Sequence, residues 1–289
     1  MSSVDFKLFF LILLVVICGY WLAINREQIV QYKSKNLFDQ SEQVFRKHAE
    51  APKWKSTIHR SCLHKTPEQT VEDLIRKWLS RQDIDCLLDI GANVGAMAKL
   101  AIAKRKRVIA VEPLKENLRK LRKMVNNGNA KDLVEIVPHA ISDKKTNLSM
   151  SNEVAGLFNT AYVIEKKNNK NIPKNGLSTV TSILLDDLIP KTKWCRKSVM
   201  KIDIQGHECF ALRQASAFLQ RVDIPIIVME WILANRVDRN CNFDMIKTML
   251  DLGYQPFYMG EKEKVPLEVL VRSVDYVNDE LYDFIWKKT

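Results

Sequence analysis

The sequence predicts an α/β architecture: a mostly parallel, doubly wound sheet with helices on both faces. Three observations carry that expectation. From Asp85 onward strand-like and helix-like segments alternate. The strand-like segments "CLLDI", "RVIAV" and "IPIIV" are nearly continuous apolar runs, as strands covered on both faces require. Directly behind the first stands "DIGANVG", Asp89 to Gly95, which places two glycines where a strand must turn into a helix.

The elements follow in order along 289 residues, of which 46% are apolar and 27% charged, an ordinary globular composition. After a short tail (1–5), Phe6 to Ile24 holds a single charge, Lys7. At about 1.5 Å per residue it reaches roughly 28 Å, close to the ~30 Å of a bilayer core. It is expected to be an N-terminal transmembrane helix, with Tyr20 and Trp21 at the interface. A cleaved signal peptide competes, but no clear small-x-small site follows. Residues 25–65 read as a polar stem and 66–289 as the folded body, its core from 85. In "TPEQTVEDLIRKWL" Thr66 is placed as an N-cap, and Val71, Leu74, Ile75 and Trp78 recur at helical spacing over 67–80. Strands are expected at 86–90, 107–113, 133–142, 198–204, 224–231, 254–259 and 281–287, with helices at 94–104, 114–126, 208–219 and 243–252. The last two strands, with no helix between them, predict an antiparallel edge to a seven-stranded sheet. Residues 144–185 break the rhythm with polar, Asn/Lys-rich text including Lys166, Lys167 and Lys170. Insertions of that kind cover strand ends and select substrates.

The net charge is +11, which attracts anionic partners in general. Its densest run, Lys104 to Arg107, reads first as a solvated helix end. The six cysteines show no C-x-x-C spacing. Cys86 reads as a small hydrophobe in a strand, and one disulfide among Cys62, Cys195, Cys209 and Cys241 stays open. "HRSCLH" (59–64) lacks further ligands at metal spacing, so no metal is expected. Counted flanking cations favour a cytoplasmic body. An uncleaved anchor before a folded body is equally the plan of lumenal Golgi and ER enzymes. The sequon Asn147-Leu148-Ser149 serves only in a lumen, so the membrane face is left undecided.

Asp89 to Gly95 ends the first strand, Glu112 the second, and His139 to Asp143 the third. In a doubly wound sheet these ends open onto one crevice at the switch point. A carboxylate ending the second strand can accept from the ribose hydroxyls of an adenosine. NAD fits poorly, because the dinucleotide fingerprint needs glycine where Asn93 and Ala96 stand. S-adenosylmethionine, an adenosine ligand without phosphate, suits the G-x-x-x-G spacing.

From about residue 85 to the end, the chain resembles the FkbM-type methyltransferases, a branch of the Rossmann-like class I fold. The resemblance lies in "LLDIGANVG", "AVEPLKENLRKLRKMVNNG", "TSILLDDLI", "KIDIQGHE" and "IVMEW", five pieces in order. It implies cofactor contacts from Asp89, Gly91, Asn93, Gly95 and Glu112, with Asp143 beside the adenine. It also places Asp203, Gly206 and Glu208 where cofactor and substrate meet. Asp203, His207 and Glu208 are the candidate acids and bases, and Asp186 and Glu230 the candidate substrate contacts. Each also has a plain reading, as a turn glycine, a helix cap or a surface histidine. Where the family usually carries an acid, this chain has Gln205. The resemblance implies O-methylation of a hydroxyl on a small-molecule or glycan acceptor, by a membrane-anchored enzyme. A catalytically idle scaffold of the same fold is the alternative. A nucleic-acid methyltransferase is disfavoured, since "DIQG" stands where an Asn-Pro-Pro-Tyr-like motif would follow the fourth strand.

Overall fold

The computed structural model describes residues 70–151, 162–164, 177–232, 239–273 and 281–288. The expected anchor, the stem and most of the Lys/Asn-rich insertion lie outside them. Among the described residues no helix is long and apolar enough to cross a membrane.

Helix α1 (Val71–Leu79) opens at Thr70 rather than Thr66. The Thr70 hydroxyl accepts from Asp73 N at 3.1 Å while the Asp73 carboxylate takes Thr70 N, a reciprocal cap. Its Leu74, Ile75, Trp78 and Leu79 are buried. The chain then runs β1 (Cys86–Ile90), α2 (Ala96–Ala103), β2 (Arg107–Val111), α3 (Lys115–Asn127) and β3 (Val134–Val137). Next come β4 (Ala140–Ile141), β5 (Asn147–Ser151), β6 (Tyr162–Ile164) and β7 (Leu177–Ile183). A 3₁₀ turn (Leu185–Thr192) leads to β8 (Ser198–Ile202), α4 (Glu208–Leu212), α5 (Ser216–Arg221) and β9 (Ile226–Ile232). The body closes with α6 (Arg239–Asp251), β10 (Tyr254–Tyr258), α7 (Leu267–Ser273) and β11 (Leu281–Lys288).

Seven strands form the main sheet in the order β10-β11-β9-β8-β1-β2-β3. β1 lies between two parallel partners, with Asp89 opposite both Ala110 and Lys201. From β1 the chain winds outward through β2 and β3, then returns to β8 on the other side. The right-handed crossover rule puts the connecting helices of the two halves on opposite faces, and the reversal between β1 and β8 opens the crevice.

Four expectations need correcting. The third strand breaks at Pro138, which has no amide for a ladder. Its second half becomes β4, which pairs with β7 in a separate four-stranded sheet with β5 and β6. The last two strands do pair antiparallel at one side of the sheet, but a helix, α7, lies between them in the chain. The strand that runs against its neighbours is β11, seated between β9 and β10, which leaves β10 outermost. The helix expected over 208–219 is two, because the Asp186 carboxylate accepts the Phe218 amide at 2.9 Å and starts α5 afresh. Finally, Cys86 is no free hydrophobe. It is bonded to Cys195, and Cys209 is bonded to Cys241.

Candidate active site

The crevice at the carboxyl ends of β1, β2, β8 and β9 encloses about 380 Å³, within the roughly 300–1,000 Å³ of small-molecule sites. At its floor, Gly91 has a φ of +85°, and an added Cβ would come within 1.9 Å of the Asp203 carbonyl oxygen. The first glycine is therefore dictated by the meeting of β1 and β8. Gly95 (φ +94°) does not line the crevice; a Cβ there would strike Met124 and Leu121 of α3. Its role is helix packing rather than the cofactor contact the resemblance implied.

Asp89, one residue before the end of β1, is fully buried. Its carboxylate oxygens make no close hydrogen bond, with the Ala98 amide only at a longer reach, and the buried Oδ1 of Asn93 has no partner. Burial pushes the Asp89 carboxyl up, and Lys201, 4.0 Å away, works against it. Glu112 takes Asn93 N on Oε2 at 2.9 Å, and Leu114 N and Asn117 Nδ2 on Oε1 at 2.8 and 3.3 Å. Burial raises its pKa against those three donors. A carboxylate has about four acceptor positions, so Glu112 has room for about one more donor, not for two ribose hydroxyls. Asp143 turns away from the crevice into an ion pair with Arg213. The third-strand side of the crevice is walled instead by His139, Ala140, Ile141 and Met150.

Across the crevice the side chains hold one another. Lys201 Nζ lies 3.1 Å from Asp203 Oδ2 and donates to Gly91 O at 3.3 Å. Gln205 Nε2 donates to Asp203 Oδ1 and to Glu230 Oε2, each at 2.7 Å. Burial disfavours a charged Lys201, yet Asp203 and Asp89 outweigh it and raise its pKa. Burial likewise works to lift Asp203, but Lys201 and the bonds from Glu230 and Gln205 hold it below the usual carboxylate range. Glu230 is pushed up to about 9 by burial and by the Asp203 charge, so it is protonated at neutral pH. Asp283, opposite Glu230 in the ladder, also lines this wall, and burial raises it.

Three other expected residues behave differently. His207 lines the crevice, buried rather than at the surface, with Nε2 2.9 Å from Ser142 Oγ. Burial lowers it to about 4, so its ring is neutral. Glu208 lies off the crevice wall and accepts Ile204 N at 2.8 Å; this is a turn support, not an acid facing substrate. Asp186 caps α5, also off the wall. Lys201 was missed from the sequence. Its signal was there: a lysine in the apolar run "SVMKI", in register with Asp89.

These geometries converge on known proteins. Residues 89–256, more than half of the chain, match the methyltransferase FkbM domain. The chain belongs to the FkbM methyltransferase family. The family is one of methyltransferases, and S-adenosylmethionine is the cofactor it implies. A hexuronic acid methyltransferase of Haloferax volcanii is 26% identical over 157 residues, 54% of this chain and 61% of that protein. The chain thus spans less than two-thirds of that relative. Among solved structures, the O-methyltransferase from Bacillus cereus in complex with SAH is 11% identical, with 89% of this chain and 95% of that one covered at a TM-score of 0.38. A precorrin-6y C5,15-methyltransferase from Geobacter metallireducens is 13% identical, with 81% and 95% covered and the same TM-score. Likenesses at that score add nothing to what the topology shows.

The residues present fit the cofactor. Buried polar atoms without partners are rare because each forfeits its hydration. Of the six among the described residues, three belong to Asp89 and Asn93 at one end of the crevice, while those of Ser198, Arg213 and Trp286 lie off its wall.

Proposed function

We propose that this protein transfers a methyl group to a hydroxyl of a small-molecule or glycan acceptor, and that Asp203 is the general base. Asp89, Asn93 and Glu112 would hold the cofactor, with Ala140, Ile141 and Met150 as the apolar wall for its base. Bound there, S-adenosylmethionine supplies an activated methyl group on sulfur. What remains for the chain is alignment and removal of a proton from the acceptor oxygen.

The observation that carries the reading is the state of Asp203. Its carboxylate lies on the crevice wall, held ionised by Lys201 and oriented by the Gln205 amide. A carboxylate acceptor has no proton to give up and would leave that base idle, whereas a hydroxyl uses it. Glu230 is protonated at neutral pH and cannot accept a proton, and the neutral His207 has its Nε2 against the Ser142 hydroxyl at 2.9 Å, which favours Asp203 as the base. Gln205 does not empty the site of an acid; it clamps two others, which argues against the idle scaffold. A glycan acceptor is supported by the hexuronic acid named for the Haloferax relative, a sugar that offers hydroxyls beside its carboxylate.

The two disulfides support a body in an oxidising compartment, since cytosolic thiols are kept reduced. Together with the apolar stretch 6–24 they favour a lumenal body behind an uncleaved anchor, against the bare count of flanking cations. The test uses the full chain in neutral detergent. Calorimetry with S-adenosylmethionine is run beside transfer of labelled methyl to a panel of glycosides and uronides. Asp203→Asn is expected to keep cofactor binding and abolish transfer. Full transfer by that variant, or methyl esters as the product, would sink the assignment. Maleimide-PEG labelling before and after reduction reads the disulfides separately.

A further inference from the structure

The end of the sheet opposite the crevice carries a group of side chains that neither cofactor nor acceptor reaches. At the amino ends of β1, β2 and β8, Trp194 is 62% exposed, the most exposed large apolar side chain among the described residues. Its loop is fastened. The neighbouring Cys195 is bonded to Cys86 at the start of β1, and the amides of Arg196 and Lys197 each donate to the Asp85 carboxylate at 3.1 Å. The indole is therefore held in solvent.

Cations surround it. The Arg107 guanidinium lies 5.8 Å and the Lys193 ammonium 4.9 Å from the ring centroid. Lys104 and Arg105 stand three and two positions before Arg107 in the chain, and all four cations are exposed. The nearby acids are already engaged: Asp83 by Arg81 and Lys197, Asp85 by Arg196. The positive charge of Lys104, Arg105, Arg107 and Lys193 thus faces outward without carboxylate partners among the described residues.

We propose that this surface binds an acidic polysaccharide. A fixed, exposed indole offers a flat apolar face to the C–H face of a sugar ring. The flanking cations supply the charge that carboxylate or sulfate groups on such a chain would meet. The two other polyanions, nucleic acid and anionic lipid, fit less well. A strongly anionic leaflet faces the cytoplasm, and the two disulfides belong to an oxidising compartment. The choice of partner rests on that compartment reading. The binding itself does not, so the two can fail separately.

The experiment is chromatography of the full-length protein in neutral detergent on heparin-agarose and, in parallel, on a plain sulfonate exchanger. The wild type is expected to need more salt for elution from heparin than from sulfonate. Trp194→Ala should shift the heparin elution to lower salt and leave the sulfonate elution unmoved. Arg105→Ser with Arg107→Ser should lower both. Unchanged cofactor binding by calorimetry shows that each variant is folded, and Trp194→Phe should restore most of the heparin retention. Identical heparin elution of Trp194→Ala and wild type overturns the proposal. So does capture by phosphatidylserine-containing micelles that depends on Trp194 while heparin retention does not, which would assign the surface to a membrane.

Discussion

The two walls of the crevice are built on opposite plans. On the β1–β2 wall the polar groups look outward: Asp89 and Asn93 have buried oxygens without partners, and Glu112 is met mainly by backbone amides. On the β8–β9 wall they look at one another, Lys201 on Asp203 and Gln205 on both Asp203 and Glu230. Free buried acceptors are costly and wait for a ligand. A self-satisfied network is stable when empty, and it keeps one carboxylate ionised beside the Lys201 ammonium while Glu230 stays neutral. One wall is made for binding and the other for moving a proton.

Substitutions can break that contrast, and the largest effect is expected where the walls meet. Gly91→Ala drives a methyl into the Asp203 carbonyl at a positive φ. It should cost about 4 kcal/mol or more, read as a collapse of Tm and of cofactor binding together. Lys201→Met should come next, since removing one partner of a buried ion network costs about 3 kcal/mol. Urea unfolding would show it, and near-wild-type stability would mean that Asp89 and Asp203 do not depend on that charge.

His207 sharpens the contrast through pH. Its folded pKa, lowered to about 4 mainly by burial, lies below the unfolded value of about 6.5. Between the two the unfolded chain binds the extra proton, so the stability it contributes is full above about pH 6.5 and is lost as pH falls toward 4. The loss is on the order of 3 kcal/mol. His207→Gln should flatten a plot of Tm against pH in that window. Glu112→Ala should leave the fold standing and weaken S-adenosylmethionine roughly tenfold to a hundredfold, the worth of a bond to a charged group. The last expected effect is a gain, from Glu230→Gln, which imitates the protonated acid. With its pKa raised from 4.5 to about 9 in the fold, wild-type Glu230 keeps a proton that the unfolded chain gives up, so stability is lost as pH rises between those values and levels off above about pH 9. The variant should match the wild type near about pH 4 and outlast it increasingly from about pH 5 to 9, read by urea unfolding at several pH values.

The binding wall was largely legible in the sequence. Asp89, Gly91, Asn93 and Glu112 sit in local turns where chain order and spatial order coincide. The opposite wall was legible only in part. Asp203 and Glu230 could be named, but the clamp by Gln205 joins residues 25 positions apart, and Asp283 arrives from the last strand. Asp143, Asp186 and Glu208 were misplaced for one reason: an acid near a strand end or a turn looks the same in sequence whether it faces a ligand or a backbone amide. Gly95 is similar, a glycine whose steric need comes from α3. The two disulfides were beyond the spacing, since Cys86 and Cys195 are 109 residues apart.

The position of β11 has a consequence for biosynthesis. Residues 281–288 lie between β9 and β10, both of which leave the ribosome earlier. Until β11 emerges, β10 has no neighbour and β9 presents a bare strand edge. Closure of that side of the sheet is therefore a late event that follows translation of residue 288. A message that stops short of it would yield a nascent chain with an open edge, a natural target for chaperones and quality control.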